Sequence, residues 1–152
     1  GAGEFAPEHA LFTTATKVHF ECQYANGVRL ICETGESGCR FEGSRGAIDV
    51  SRGSLRADPA SILAADLGED AIRLYRSDDH KQDFFDCIRT RRLPVADVEI
   101  GHRSATVCHL GNIAMLLGRP LKWDPKAERF VGDSEADRML WRPARAPWRG
   151  VG

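Results

Sequence analysis

Apolar and polar residues alternate along the front third of the chain. In KVHFECQY, residues 17–24, every second side chain is apolar and the side chains between them are polar. This period of two predicts a strand with one buried face. Asn26 and Gly27 follow, and the extended pattern then resumes in VRLICE. Because an Asn-Gly pair tolerates the positive φ angles of a tight turn, the whole stretch predicts a β-hairpin.

Glycines divide the next stretch into three short segments, RFEGS, AIDVSR and SLRAD. Turn residues at such close intervals predict a meander of short strands. Residues 60–70 are predicted to form a loop. The run AIRLYRS, residues 71–77, is predicted to be one more short extended segment.

The second half predicts two amphipathic helices. Ser77 is placed to cap the first helix, and Pro94 ends it because proline lacks a backbone N–H. The predicted buried stripe of this helix consists of Phe84, Phe85 and Ile88. The second helix is predicted over residues 98–117, with Gly118 as its stop. Beyond it, LKWD predicts a returning strand and SEADRMLW a short polar helix.

Strands followed by two helices predict the α+β class, with a largely antiparallel or mixed open β-sheet and two main helices packed on one face. We expect residues 1–152 to form a single domain, with 1–13 as a tag remnant or flexible arm and 138–152 as an extended tail. A sheet of five or six strands covered on one side leaves an open face. That face is either polar or buried against another chain.

Composition narrows the class of protein. The chain has 152 residues, of which 42% are hydrophobic and 28% charged, and its net charge is -1. So small a charge attracts neither nucleic acid nor an anionic membrane. No apolar run approaches the roughly 20 residues of a membrane helix, so we expect no membrane partner. Five cysteines without a CxxC spacing indicate reduced thiols, which predicts a cytoplasmic location.

Two histidines on the second predicted helix are candidates for substrate binding. His102 and His109 lie about 10 Å apart along the helix axis. Zinc needs ligands about 2 Å from the ion, so we expect no metal site. Either imidazole could line a pocket and bind a substrate hydroxyl or carboxylate. Cys108 has no base nearby at helical spacing except His109, which gives a nucleophilic thiolate little support. Small residues on this helix favour close packing instead: Gly101, Ser104, Ala105, Cys108, Gly111 and Ala114.

The first residues, GAGEFA, match the letters of the dinucleotide-binding motif G-x-G-x-x-A. That motif binds pyrophosphate only where a buried strand passes into a helix, and here Pro7 follows while no strand precedes. The chain also has no Walker loop, G-x-S-x-G elbow or H-E-x-x-H motif. We therefore expect no cofactor and no catalytic residue in this chain.

The tail mixes arginine with tryptophan: Arg138, Arg142, Arg145 and Arg149 with Trp141 and Trp148. Such a mixture is able to bind single-stranded nucleic acid. The alternative is that the tail wraps its own or a sister subunit, with the tryptophans as apolar anchors. The net charge and the absence of an RNA-binding motif favour the second interpretation, so no nucleic-acid partner is expected.

Four features in combination resemble the C-terminal half of bacterial Gfo/Idh/MocA oxidoreductases, the glucose-fructose oxidoreductase and inositol dehydrogenase group. They are the Asn-Gly hairpin, the phenylalanine-rich helix ending in RTRRLPV, the long helix rich in Gly, Ala and Ser, and its exit GRPLKWD. The likeness begins at about Thr14 and spans nearly the whole chain.

The resemblance implies a two-domain parent enzyme. An N-terminal Rossmann domain binds NAD or NADP, and a C-terminal α/β domain supplies substrate contacts and the oligomer interface. Hydride then moves between the nicotinamide and a sugar, cyclitol or related alcohol. The family's D-x-x-x-H pair is not reproduced by Asp78 and His80, which are too close together, so no catalytic role is carried over to them.

The leading hypothesis is therefore a substrate-binding and oligomerisation domain that is inactive alone. Its expected partners are the missing Rossmann domain and further copies of itself, bound through the open sheet face. The alternative is a self-standing dimeric interaction or scaffold domain without redox activity.

Overall fold

The computed structural model describes residues 1–147, and the chain divides into two compact units. The first unit comprises Gly1–Thr34 and the chain from Ala96 onward, and the second comprises Gly35–Val95. The strands are β1 (Ala2–Phe5), β2 (Ala15–Gln23), β3 (Arg29–Glu33), β4 (Cys39–Gly43), β5 (Gly46–Ser51), β6 (Ser54–Asp58), β7 (Trp123–Asp124) and β8 (Arg129–Phe130). The helices are α1 (His80–Thr90), α2 (Val98–Leu117) and α3 (Ser134–Asp137), with a short 3-10 helix at Ala60–Ala64.

An antiparallel sheet in the order β1-β2-β3 forms one layer of the first unit, and α2 lies across β1 and β2. Strands β2 and β3 form the predicted hairpin. In its turn the Tyr24 N–H donates to the Val28 carbonyl at 2.9 Å, and Gly27 has a φ of 88°. The alternation along β2 is confirmed as well, because Phe20 is buried and its neighbour His19 is exposed.

The predicted boundaries of helix α2 are confirmed, since it runs from Val98 to Leu117. The Asp97 carboxylate caps its start by accepting hydrogen bonds from the backbone N–H groups of Glu99 and Ile100, at 2.8 and 3.1 Å. The helix ends at Gly118, whose φ of 63° is a left-handed conformation that glycine adopts without strain.

The core of the first unit includes residues of α2, β8 and α3. Ile113, Phe130 and Ala136 are buried there. Close packing by small residues is confirmed at Gly111, where an added Cβ would lie 2.5 Å from the ring of Phe20. The other small residues of α2 do not share this role, since most of them are exposed.

The second unit contains an antiparallel sheet in the order β4-β5-β6, which confirms the three predicted short strands. Helix α1 is capped by Asp79, whose carboxylate accepts hydrogen bonds from the N–H groups of Lys81 and Gln82. The prediction of Ser77 as the cap is wrong. Asp79 directly precedes the first helical residue, where a side chain reaches those N–H groups, and the Ser77 hydroxyl donates to the Asp79 carbonyl instead.

The buried side of α1 also differs from the prediction. Phe84, Phe85 and Ile88 are 56%, 54% and 47% exposed, so they do not form a buried stripe. Asp83 and Cys87 are buried instead. The reason is that hydrogen bonds from both segments flanking α1 converge on the Asp83 carboxylate, and they fix which side of the helix faces inward.

The predicted extended run over 71–77 is not a strand. Ile72 and Leu74 are 92% and 87% exposed there. Alternation produces a strand only where a neighbouring strand completes the backbone hydrogen bonds, and no described residue pairs with this run. The predicted loop over 60–70 contains the short 3-10 helix.

The class is α+β with open antiparallel sheets and two main helices, as predicted. The expectation of one sheet with five or six strands is wrong, because β1-β2-β3, β4-β5-β6 and β7-β8 are separate sheets. The glycine-containing segment TGESG, residues 34–38, carries the chain out of the first sheet before the second begins.

The two ends of the chain were expected to be an arm and a tail. Segment 1–13 contains β1, which pairs with β2. Within 138–152, residues 141–145 have no regular structure, whereas Trp148 and Arg149 lie outside the described residues. No described helix has the length and apolar character needed to cross a membrane.

Candidate functional site

His102 belongs to an exposed polar cluster in the first half of α2. Its Nε2 atom lies 2.8 Å from Oε1 of Glu128. The Arg103 guanidinium lies 3.0 Å from the same oxygen and also donates to the Pro125 carbonyl at 2.9 Å. Glu99, one turn earlier, accepts from Nε of Arg103 at 2.7 Å. We call His102, Arg103, Glu99 and Glu128 the His102 cluster.

The turn between β7 and β8 brings Glu128 to the helix. The Asp124 carboxylate organises this turn by accepting from the N–H groups of Lys126 and Ala127, at 2.9 and 3.0 Å. Glu128 itself has a left-handed φ of 51°. The hydrogen bond from His102 holds the pKa of the Glu128 carboxyl below its usual range. Glu128 is therefore an ionised acceptor at neutral pH.

The His102 cluster has the groups that recognise hydroxyls. Its imidazole and guanidinium donate hydrogen bonds, its carboxylates accept them, and each hydroxyl of a polyol does both. The four side chains remain open to solvent, between 42% and 65% exposed.

The structure does not bring the second candidate, His109, into this cluster. His109 is exposed and lies two turns farther along α2. The distance along the helix keeps the two imidazoles about 10 Å apart, as expected from their spacing. Within residues 1–147, no three His, Cys, Asp or Glu side chains are grouped so that they could hold a metal ion.

Sequence reasoning missed a buried carboxylate in the second unit. Asp83 is only 6% exposed and accepts hydrogen bonds from the Tyr75 hydroxyl, from the Val95 N–H at 3.0 Å and from Arg92 at 3.4 Å. The Arg92 guanidinium also lies 4.9 Å from the centre of the Tyr75 ring, a cation–π contact. These bonds, led by that of Tyr75, hold the pKa of Asp83 below its usual range. The carboxylate thus fastens both segments flanking α1 to the helix.

The Tyr75 hydroxyl allows a test of this arrangement by pH. Its hydrogen bond to Asp83, together with desolvation, raises the pKa of Tyr75 to about 12. Because this lies above the ordinary tyrosine pKa of about 10, the contribution to stability is complete below pH 10 and is lost as the pH rises toward 12. We expect a tyrosinate absorbance titration to show a transition near pH 12 that Tyr75→Phe removes and Tyr24→Phe retains. A wild-type titration with no such late transition would contradict the hydrogen bond.

The β4-β5-β6 sheet has one polar face. Arg40, Asp49 and Arg56 form a row across its three strands, with an Arg40–Asp49 ion pair of 2.8 Å. Together with Ser51 and Ser54 they line a shallow depression of about 430 Å³. Charges of opposite sign offset one another here, so the depression is polar without being strongly charged.

The opposite face of this sheet is apolar and mostly exposed. The strand register places its side chains in two rows, Phe41–Ile48–Ala57 and Cys39–Val50–Leu55, which we call the Phe41 face. Phe41, Val50 and Leu55 are 62%, 39% and 58% exposed. By contrast, the face of the first sheet away from α2 carries ion pairs such as Lys17–Glu4. Of these two faces, the Phe41 face is therefore the apolar one.

The GAGEFA residues do not fit the pyrophosphate of NAD or NADP. Ala2–Phe5 is strand β1, paired antiparallel with β2, so Gly3 lies within a strand and not in a turn that leads into a helix. Gly3 instead leaves room for the Met115 side chain of α2, because an added Cβ at Gly3 would lie 3.1 Å from the Met115 sulfur.

Comparison with known proteins establishes the family. The family model described as the oxidoreductase family, C-terminal alpha/beta domain, matches residues 6–150. The chain therefore belongs to the C-terminal α/β domain family of Gfo/Idh/MocA oxidoreductases, which confirms the resemblance noted in the sequence. Domains of this family are paired with an N-terminal domain. No curated protein and no solved structure matches the chain.

Proposed function

We propose that this chain is the substrate-binding and oligomerisation domain of an NAD(P)-dependent oxidoreductase that acts on a sugar, cyclitol or related alcohol. The family match over residues 6–150 is the observation that carries the proposal. A nicotinamide held by an N-terminal domain exchanges a hydride with the alcohol carbon. The chain's own residues bind and orient the alcohol, and alone they do not turn it over.

The His102 cluster is the proposed contact with the substrate. Arg103 donates to hydroxyl oxygens, while the Glu128 carboxylate and the second ring nitrogen of His102 accept from hydroxyls. His102 and Arg103 are already aligned by the Glu128 carboxylate that they share, so little side-chain freedom is lost when a polyol binds. His109 remains a second candidate contact, two turns farther along the helix.

The test uses the isolated chain with NAD, NADP and a panel of sugars and cyclitols. We expect no turnover, no calorimetric signal for either cofactor, and shifts of the His102 imidazole NMR signals on addition of the preferred polyol. Replacing His102 by glutamine removes one hydrogen bond and weakens polyol binding by about tenfold. His19→Gln is the matched control, because His19 is also exposed and beside a glutamate, Glu33. Turnover by the isolated chain, or equal effects of the two substitutions, would contradict the proposal.

Self-association through the Phe41 face is the second part of the proposal. Four of its six side chains, Cys39, Phe41, Val50 and Leu55, are exposed, and an exposed apolar patch of this kind marks a surface that binds a partner, here a second copy of the chain. The same face favours an alternative function, a self-standing dimeric interaction domain without redox activity. Association alone does not separate the two functions. The gene upstream of Gly1 does: a Rossmann fingerprint supports the oxidoreductase, and a start codon supports the alternative.

A further inference from the structure

Three of the five cysteines lie together in the first unit. Cys32 is paired with Phe20 across β2 and β3, and Cys22 lies two residues beyond Phe20. Because side chains alternate along a strand, both thiols project from the same face of the sheet as Phe20. Cys108 lies on α2, one turn before Gly111, which packs on the Phe20 ring. Met115, one turn after Gly111, lies against Gly3, which pairs with Val18. Helix α2 therefore runs antiparallel to β2, and Cys108 lies toward the Cys22 end of that strand.

The charges of these thiols affect one another. Burial raises the pKa of the Cys22 thiol, and the negative charges of the Cys32 and Cys108 thiolates raise it further. Cys108 is exposed, whereas Cys22 and Cys32 are half-buried. The cluster thus combines one accessible thiol with two shielded ones.

The strand register decides which two thiols are able to bond. Cys22 is paired with Leu30 and Cys32 with Phe20, so the two strand cysteines are diagonal neighbours. Diagonal Cα atoms lie about 7–8 Å apart, beyond the roughly 4.4–6.8 Å that a disulfide spans. Cys108 is therefore the partner that remains for Cys22.

We propose that Cys22 and Cys108 form a reversible disulfide that links β2 to α2, with a small-molecule disulfide such as oxidised glutathione as the oxidant. The exposed Cys108 thiolate attacks one sulfur of oxidised glutathione, which releases one glutathione thiolate and leaves a mixed disulfide. The Cys22 thiolate then attacks the Cys108 sulfur and releases the second glutathione. Two protein thiols are oxidised, one small disulfide is reduced, and the two protons pass to the released glutathione molecules. This inference does not depend on the proposed function.

The experiment treats the reduced chain with oxidised glutathione, counts free thiols and maps linked peptides by mass spectrometry of the non-reduced monomer. We expect two of the five thiols to disappear and the Cys22 and Cys108 peptides to be linked until a reductant is added. Cys108→Ser and Cys22→Ser abolish the link. Cys39→Ser is the matched control, because Cys39 is an exposed thiol of the second unit, and it leaves the link intact.

Three results would overturn the proposal. One is a stable glutathione adduct on Cys108 with no loss of a second thiol. Another is a link that survives Cys22→Ser by using Cys32. The third is five free thiols after treatment. Mapping the unaltered chain identifies the pair directly, so the result does not depend on how well any variant folds.

Discussion

Replacing Gly111 by alanine is expected to destabilise the first unit by about 1–3 kcal/mol, the usual cost of overpacking a core. An added Cβ at this position would lie 2.5 Å from the ring of Phe20, so the ring or the helix must move. Within a helix the same change normally stabilises by about 1 kcal/mol, because alanine loses less backbone freedom on folding. Because of the contact with Phe20, the substitution is therefore expected to lower the free energy of unfolding instead of raising it. Chemical denaturation of the wild-type and variant proteins measures the difference.

The matched control is Gly101→Ala in the same helix. Nothing lies within 4 Å of an added Cβ at Gly101, so only the gain in helix propensity remains. We expect an increase in stability of about 0.5–1 kcal/mol. Equal changes at the two glycines would show that Gly111 does not pack on Phe20.

Replacing Leu55 by glutamate is expected to weaken self-association by about 100-fold or more. Leu55 is 58% exposed on the Phe41 face. Full burial of a leucine side chain contributes about 1.5–3 kcal/mol, and a two-fold symmetric interface contains each residue twice. About 1.4 kcal/mol corresponds to a tenfold change in Kd, so the lost burial of the exposed part of Leu55, counted twice, and the cost of desolvating two glutamates together give the expected factor. Analytical ultracentrifugation over a range of concentrations measures it.

Arg56→Glu provides the control at the next position. Arg56 projects from the polar face because successive side chains of β6 point to opposite sides. This substitution changes the net charge by two units and Leu55→Glu by one, yet we expect the dissociation constant of the dimer to stay nearly unchanged. A larger effect at Arg56 than at Leu55 would place the interface on the other face of the sheet.

Local signals in the sequence predicted much of the first unit. The hairpin depends on the alternation in β2 and on the turn residue Gly27, all within a few residues of one another. Helix α2 likewise begins and ends at residues whose role is local, since Asp97 binds the first N–H groups and Gly118 has a left-handed backbone. Such features are predictable from the sequence because the residues that form the interaction are the same few residues that produce the sequence pattern.

Features that depend on distant partners were not predictable in this way. The pattern of α1 places Phe84, Phe85 and Ile88 on its apolar side, but hydrogen bonds to Asp83 determine which side is buried. The division into separate sheets also depends on pairing between strands, which the apolar pattern does not encode. These errors share one cause: tertiary contacts overrode a local preference.

In the candidate site, too, local features were predictable from the sequence and contacts between distant residues were not. His102 was found from its residue type on a predicted helix. Its partner Glu128 lies 26 residues away in a turn, and no periodicity connects the two. Asp83 was missed because its partners Tyr75 and Val95 lie on irregular segments on either side of α1.

The second unit interrupts the first in chain order, since Gly35–Val95 separates the hairpin from α2. As the chain leaves the ribosome, β2 therefore emerges long before the helix that covers Phe20, whereas β4, β5 and β6 emerge in succession and pair at once. Nearby segments join quickly and distant ones slowly. During synthesis the uncovered side of the hairpin is thus available to a chaperone, or to another nascent chain, until α2 has been translated.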